Sequence, residues 1–506
     1  MDPNNSTNTL TPSIYALLLV LSTLIWASVD VITETSSSLR KLPGPFEARL
    51  SRLWYFRQVR DGNFHHRNIE LHEKYGAIVR IAPKQYSIND PTVIKTIYGI
   101  GKGFPKSAWY EASSPTGVPW QDLFTERDGA RHAANRRLVA NLYSVTSLRA
   151  MESDVEDCLR VYVKRLEDLS KAQNPIDLQF WMQCYAFDVI SQITLGQRFG
   201  CLDTGSDRLG IFAGQHVYLK YCAMVGIEHE LHGLLTWLLS KLPPGKLMNA
   251  VNFTAEQLDK GRSQFDMEKG SPERQDFMSK LFRLHHDNPG KFPESAVFTI
   301  CMTNIGAGSD TTSISLCAVI HDLASHPKVL RKLREDIDAK LAELGNPKFI
   351  PFTDVQAMSY LQACIKESLR LHPATGLPLA RVVPKGGVNL LGRDFTEGCV
   401  VGVNTWVLHR NRDIFGADAD EYRPDRWFGQ DREHISLMES NWIPFGIGSR
   451  TCIGKNISLL EINKLVPILV KTFDFTPLEP ERIRHENYWL VKQVDMLCRV
   501  SPRSSN

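Results

Sequence analysis

The chain has 506 residues, 43% hydrophobic and 23% charged, the make-up of a globular protein with enough apolar mass for a large core. Its 59 basic and 56 acidic residues leave a formal charge of +3, a balance that gives no support for nucleic-acid binding. Ten cysteines stand singly with no Cys-x-x-Cys pair, which excludes a cysteine zinc cluster or a disulfide framework and fits a reduced, cytosol-facing protein.

From Leu10 to Val29 the chain is uncharged and largely apolar, with Trp26 near one end. A helix of that length spans roughly 30 Å, the thickness of a bilayer's hydrocarbon core. The first positive charges, Arg40 and Lys41, follow the apolar run, so the positive-inside rule places residues 1–9 in a lumen and the body in the cytosol. A cleavable signal peptide would want a basic start and a shorter apolar core, so an uncleaved anchor is expected. The sequon at Asn5 would then face the lumen. Residues 30–45 form a linker ending in Leu42-Pro43-Gly44-Pro45, a stiff hinge before a body over 46–506.

In the body, a helix is expected from Arg67 to Tyr75, then short strands over 77–82 and 85–88, bounded by Gly76, Pro83 and Asp90-Pro91. Residues 101–125 read as a loop carrying Phe104, Trp109, Tyr110, Trp120 and Phe124. Asp128 to Arg137 leads into a helix bearing His132 and Arg136. Ile176 to Ile193 reads as an amphipathic, mostly apolar helix, and Leu209 to Leu242 is rich in aromatics, Leu and Met. Turns at 270–272 and 288–290 are not interdomain linkers, and there is no internal repeat.

Pro293 starts, and His326-Pro327 stops, a helix of about 50 Å. Inside it lies Gly306-Ala307-Gly308-Ser309-Asp310-Thr311-Thr312. Each interior glycine costs about 1 kcal/mol against alanine, so two together suggest close approach of a ligand. The Ser, Asp and Thr side chains weaken the local ladder by offering their own hydrogen bonds. Thr353 to Gln356 reads as a capping box for a helix whose Val355, Met358, Leu361, Ile365 and Leu369 share one face. Glu367 and Arg370, three apart on it, can pair. An extended segment runs from Gly376 to Pro384, and Tyr422 to Trp427 carries Arg426. Finally, a Gly-rich loop, 442–454, delivers Cys452 to the mouth of a helix-like run from Ile457 to Phe473. A helix N-terminus lowers a thiol's pKa and favours the iron-ligating thiolate. Gly446 and Gly448 let the backbone bend and pass close to a flat cofactor, and Arg450 is placed to meet an anionic group on it.

The pattern Phe-x-x-Gly-x-Arg-x-Cys-x-Gly, with Phe445, Gly448, Arg450, Cys452 and Gly454, resembles the haem-binding loop of the cytochrome P-450 superfamily. Ala307 to Thr312 resembles its oxygen-activation motif, Glu367-x-x-Arg370 its structural lock, and 422–427 the segment supplying the lock's third member, Arg426. The order and spacing match from about residue 42 onward, and 104–107, 376–387 and 452–458 are similar to the fungal pisatin-demethylase-like group. The resemblance implies a mainly α fold with a small β-region, one large catalytic domain, and heme b bound through Cys452 as metal ligand. It implies that Arg136, Arg381 and Arg450 answer the haem propionates, with His132 in place of the usual tryptophan, and that Ala307 and Gly308 lie against the haem. Thr311 is implied to hold the bound dioxygen and Asp310 to relay protons. The hinge would orient the body on the membrane, residues 101–125 lid the pocket, Leu377 to Ala380 line it, and 209–242 form the entry beside membrane lipid.

The reading is a monooxygenase of the endoplasmic reticulum membrane, single-pass and cytosol-facing, that inserts one atom of O2 into a lipophilic small molecule of secondary metabolism. No Gly-rich dinucleotide fingerprint is present, so NADPH would act through a separate NADPH-cytochrome reductase, docking on Arg131, Arg137 and Lys455. A haem-thiolate isomerase or dehydratase working without O2 is the alternative; such enzymes commonly lose the acid–alcohol pair that Asp310-Thr311 keeps. A non-enzymatic haem sensor needs neither that pair nor an aromatic-lined entry.

Overall fold

A computed structural model describes residues 37–504, apart from 115–119, 208, 242–244, 246, 268–274 and 430. The apolar run 10–29, Asn5 and residues 30–36 of the linker lie outside the described residues. Among those described, no helix is long and apolar enough to cross a membrane.

Six helices and six strands position the site. They are α1 (Phe64–Tyr75), β1 (Ile78–Ala82), β2 (Gln85–Ile88), α2 (Gly129–Val139), α3 (Leu178–Leu195), α4 (Glu294–Ser325), α5 (Ser359–Leu371), β3 (Arg381–Val382), β4 (Val400–Gly402), α6 (Lys455–Thr472), β5 (Arg484–Tyr488) and β6 (Leu490–Val494). The fold is mainly helical, and the strands form small sheets. β1 and β2 pair antiparallel as their bounding turns predict, β2 runs parallel to β4 with Gln85 opposite Val400, and β3 closes the sheet against β4. β5 and β6 make a hairpin with Leu490 opposite Tyr488 and Trp489 at its tip.

Helix α4 is the axis, packing along α3 and crossing α5 and α6. The expected amphipathic helix at 176–193 is corrected. Asp177 caps α3 by accepting from the Phe180 N–H at 3.3 Å, and every residue of the helix except Phe180 and Gln192 is buried. Its few polar positions are enclosed by α4 and neighbouring helices, so they form no wet stripe. The capping box at Thr353 is also absent. Pro351 precedes a short helix, Phe352–Ala357, and its carbonyl accepts from Asp354 and Val355 at 3.0 Å each, which leaves Thr353 inside the turn. Met358 breaks the chain before α5, yet Val355, Met358, Leu361, Ile365 and Leu369 are all buried, as their spacing predicts. The expected side-chain bonds along α4 are present: Ser309 donates to the Ile305 carbonyl at 2.8 Å, Thr311 to Ala307 at 2.7 Å and Ser315 to Thr311 at 2.9 Å.

Candidate active site

The loop that carries Cys452 is closed by its own backbone, with the Cys452 N–H donating to the Phe445 carbonyl at 2.9 Å and the Gly446 N–H to Ile443 at 3.0 Å. Gly446 and Gly448 have φ of 69° and 72°, a region side-chain-bearing residues rarely enter. At Gly448 a Cβ would stand 1.9 Å from the Tyr98 carbonyl oxygen, so the close approach this glycine permits is to Tyr98. Burial pushes the Cys452 thiol above its ordinary pKa; the N–H groups of Gly454 and Lys455 and the charge of Arg136 offset that only in part. Desolvation opposes the helix terminus here, and a cation beside the sulfur is what would favour the thiolate. Cys452 is also the one accessible cysteine of the ten. A thiol that is both accessible and desolvated lines a recess inside the fold.

Cations gather around that recess. Residues 105–107 run beside β3, with the Val382 N–H donating to the Pro105 carbonyl at 2.9 Å and Lys106 bridging Arg381. Lys106 is buried, its ammonium 4.4 Å from the Tyr110 ring centre and 4.6 Å from that of Phe124. Its pKa falls well below the usual lysine range, first through burial and then through Arg381 and Arg450. Arg450 donates to the Glu126 carbonyl at 2.6 Å and to Arg127 at 3.2 Å, and Arg381 to Ala380 at 3.0 Å. Burial and Arg381 lower the Arg450 pKa to about 10. Buried His132 is held neutral, its pKa lowered to about 3 by burial and then by Arg450, Lys106, Arg136 and Arg381.

Among the described residues, none of Lys106, Arg136, Arg381 and Arg450 has a carboxylate ion-pair partner. Glu126 pairs instead with Arg131 at 3.1 Å, and Asp122 accepts from Phe124 N–H at 2.7 Å and Thr125 N–H at 3.0 Å. Four clustered cations beside an accessible but desolvated thiol form a donor set that fits an iron porphyrin bringing two propionates. Lys106 was not legible in the sequence, where it is one of two lysines, with Lys102, in the aromatic stretch 101–125.

Helix α4 divides the remaining candidates between two surroundings. Ala307 and Thr311, one turn apart, are accessible, and Thr312 hydroxyl donates to Ser458 on α6 at 3.0 Å, which sets this part of α4 against the helix that begins beside Cys452. Asp310 points away, buried against α3, where Gln183 donates to its carboxylate at 2.5 Å and Lys492 of β6 donates to Gln183 at 2.8 Å. Burial raises its pKa above the usual carboxylate range. Gly308 does not face the same way as Ala307. A Cβ there would lie 2.8 Å from Ile190, so this glycine lets α3 and α4 approach, a correction to its expected place against the haem.

Glu367, Arg370 and Arg426 come together fully buried. Arg370 donates to both Glu367 oxygens at 2.8 and 2.9 Å, Arg426 to one at 2.7 Å and the Trp427 indole to the other at 2.9 Å. The guanidinium of Arg370 also reaches the His409 carbonyl at 2.7 Å. His409 Nδ1–H donates to the Arg370 carbonyl at 3.0 Å, and its Nε2 accepts from Ile443 N–H at 2.9 Å, at the entrance to the cysteine loop. An aromatic cluster lies nearby. Trp489 at the hairpin tip is 4.8 Å from Trp109 and within 6 Å of Tyr110 and Phe124, all packed with Leu377 and Ile314. No local sequence pattern marks Trp489, because the hairpin brings it there.

A family model described as cytochrome P-450 matches residues 43–497. The chain is similar to a pisatin demethylase of Fusarium vanettenii, 36% identical over 97% of this chain and 95% of the relative. It is similar to cytochrome P-450 monooxygenases of Sarocladium schorii (33% identical, 92% of this chain and 93% of the relative) and Emericella nidulans (33%, 97% and 98%). With motif order, helical architecture and family match in agreement, the chain belongs to the cytochrome P-450 family and is an oxygenating oxidoreductase.

Proposed function

We propose that this protein is a membrane-associated haem-thiolate monooxygenase that inserts one atom of O2 into a lipophilic small molecule, as a tailoring step on a secondary metabolite, with electrons from NADPH through a separate reductase. The observation that carries this reading is the Cys452 thiol in a recess bordered by Lys106, Arg136, Arg381 and Arg450. Cys452 would hold the iron, and the four cations the propionates, charge-assisted bonds of the strong kind. When bound, the haem supplies the oxidising chemistry, and a cysteine ligand favours O–O cleavage. Thr311 would hold a proton at its hydroxyl on the accessible face of α4. Asp310 lies behind that face, where burial favours its protonated form, joined to half-buried Lys492 through Gln183. The cluster of Trp109, Tyr110, Phe124, Leu377 and Trp489 selects an apolar substrate and excludes water.

The membrane reading rests on the segment 10–29 and on exposed Leu231, Leu234, Trp237, Leu238 and Leu239 within the proposed entry region. An endoplasmic reticulum location with a cytosolic body accords with the charges that follow the segment. The reductase would dock where α2 exposes Arg131 and Arg137 and Lys455 opens α6, close to the Cys452 loop. Replacement of Cys452 tests the core of the proposal. Cys452→Ser should abolish the reduced-CO absorption at about 450 nm that a thiolate-ligated haem gives, while wild type with a supplied reductase consumes NADPH and O2. Retention of the band in the serine variant would overturn the assignment.

A further inference from the structure

Away from the haem recess, α1 opens with two consecutive histidines, and β5 carries a third. His65 and His66 meet His485 across the packing of helix on hairpin, with one ring nitrogen from each lying within 4.8 Å of the other two. No other such group of three or more metal-ligating side chains occurs among the described residues. His66 Nε2 and His485 Nδ1 are 3.3 Å apart. Zinc binds imidazole nitrogen at about 2.0–2.1 Å in tetrahedral sites, which puts two ligating nitrogens about 3.3 Å from each other. The spacing therefore suits one shared ion as well as it suits one hydrogen bond.

His65 supplies the second, independent observation. Its side chain is fully buried, and neither ring nitrogen has a hydrogen-bond partner. Its ring packs edge-on to Trp406 at 4.5 Å and tilted to His66 at 4.2 Å. A ring face can receive an N–H, but it offers nothing to the lone pair that a neutral imidazole always keeps. Buried polar atoms are nearly always paired, so an orphaned lone pair beside two more imidazoles calls for a Lewis acid. We propose that His65, His66 and His485 form a three-histidine site for a divalent transition metal of the zinc class, pinning the β5–β6 hairpin to α1.

The surroundings agree with this assignment. Burial holds all three histidines toward the neutral, ligating form, and the positive charge of Arg410 acts in the same direction. Arg410 is itself occupied: it donates to the Leu371 carbonyl at 2.9 Å, lies over the Trp406 ring and pairs with Asp420 at 3.5 Å. Glu70, one turn along α1 from His66, adds a negative charge, while burial pushes His372 and His321 near the cluster toward the neutral form. His372 is anchored on the Val491 carbonyl at 2.9 Å, leaving three histidines for the metal. His66 and His485 are only half-buried, so a fourth, solvent ligand has a path in. The choice of metal follows from the ligands: imidazoles without thiolates suit zinc, copper or nickel, and not magnesium or calcium. The pinned hairpin is the one that presents Trp489 to the aromatic cluster.

The test uses the full, haem-loaded chain and Zn2+ itself. After equilibrium dialysis against micromolar ZnCl2, elemental analysis should find one zinc per wild-type chain, with nitrogen scatterers at about 2.0 Å in its X-ray absorption spectrum. A His66→Gln, His485→Gln double variant should lose that zinc while keeping its reduced-CO band. Because that variant combines two changes, His65→Phe provides a separate check. It removes the buried orphan, should fold without metal, and should show no Zn2+-dependent rise in melting temperature where wild type shows one. Equal zinc content in wild type and double variant, or a wild-type melting temperature that Zn2+ leaves unmoved, overturns the proposal.

Discussion

Thr311 and Asp310 are adjacent in sequence, yet a helix rotates consecutive side chains about 100° apart, and α4 gives them different tasks. Thr311 stands on the accessible face with its hydroxyl already donated to the Ala307 carbonyl, whereas Asp310 is buried against α3. Removing the hydroxyl should leave the thiolate ligand untouched. Thr311→Ala is therefore expected to keep the reduced-CO band but to divert most NADPH oxidation to hydrogen peroxide, a shift measured as peroxide released per NADPH consumed. Lys106 invites the opposite experiment. A lysine buried among arginines destabilises the protein when no anion is present and holds a propionate when haem is bound. Lys106→Met should thus raise the denaturant midpoint of the apoprotein while weakening haem retention by about 10-fold or more, the worth of one charge-assisted hydrogen bond. Opposite signs in those two measurements would distinguish a propionate ligand from a merely structural lysine.

The lock is where individual elements become one framework. Glu367 and Arg370 project from α5 and Arg426 from the turn at 424–427, and His409 carries the connection to Ile443. Arg370→Ala would strip one of two arginine partners from a buried carboxylate and remove a donor from three carbonyls, so a loss of about 3–5 kcal/mol is expected, read as a lower urea midpoint and loss of the haem spectrum on expression. Arg370→Lys should rescue little, because a lysine cannot reproduce the fork that meets both Glu367 oxygens. Much at this scale was legible in the chain: the face of α5, the β1–β2 pair bounded by its turn residues, the length of α4, and the spacing of Glu367, Arg370 and Arg426. What was not legible depends on neighbours distant in sequence. Polar residues gave α3 an amphipathic look because nothing local announces that α4 will enclose them. Gly308 read as a ligand contact because Ile190, which occupies that space, lies on another helix. The burial that opposes ionisation of the Cys452 thiol is likewise absent from the local pattern, because dipole and hydrogen bonds are local features while desolvation is a property of the completed fold. Thr353 matched a capping box, but Pro351 had already fixed the turn.

Taken whole, the molecule buries titratable groups of both signs in their neutral forms, and its stability should depend on pH from two sides. Burial and Arg370 lower the His409 pKa to about 3. A histidine depressed in the folded state adds stability that is present above its unfolded pKa and is lost as pH falls from about 6.5 toward the folded value. Asp322 has the opposite sign. Burial raises its pKa to about 7, so its contribution is full below the unfolded carboxylate value and is lost as pH rises toward neutrality. In wild type the two slopes oppose each other between pH 4 and 6.5, and a single profile hides both. Variants separate them. His409→Asn should remove a dependence of about 1.4 kcal/mol per pH unit over that window, leaving stability that declines less on acidification than wild type. Asp322→Asn should remove a dependence of similar size and opposite direction, so that its stability declines more. Urea midpoints of both variants and wild type at half-unit steps from pH 4 to 7 measure this directly. Parallel profiles for the three proteins would mean that these groups are not held neutral by the fold.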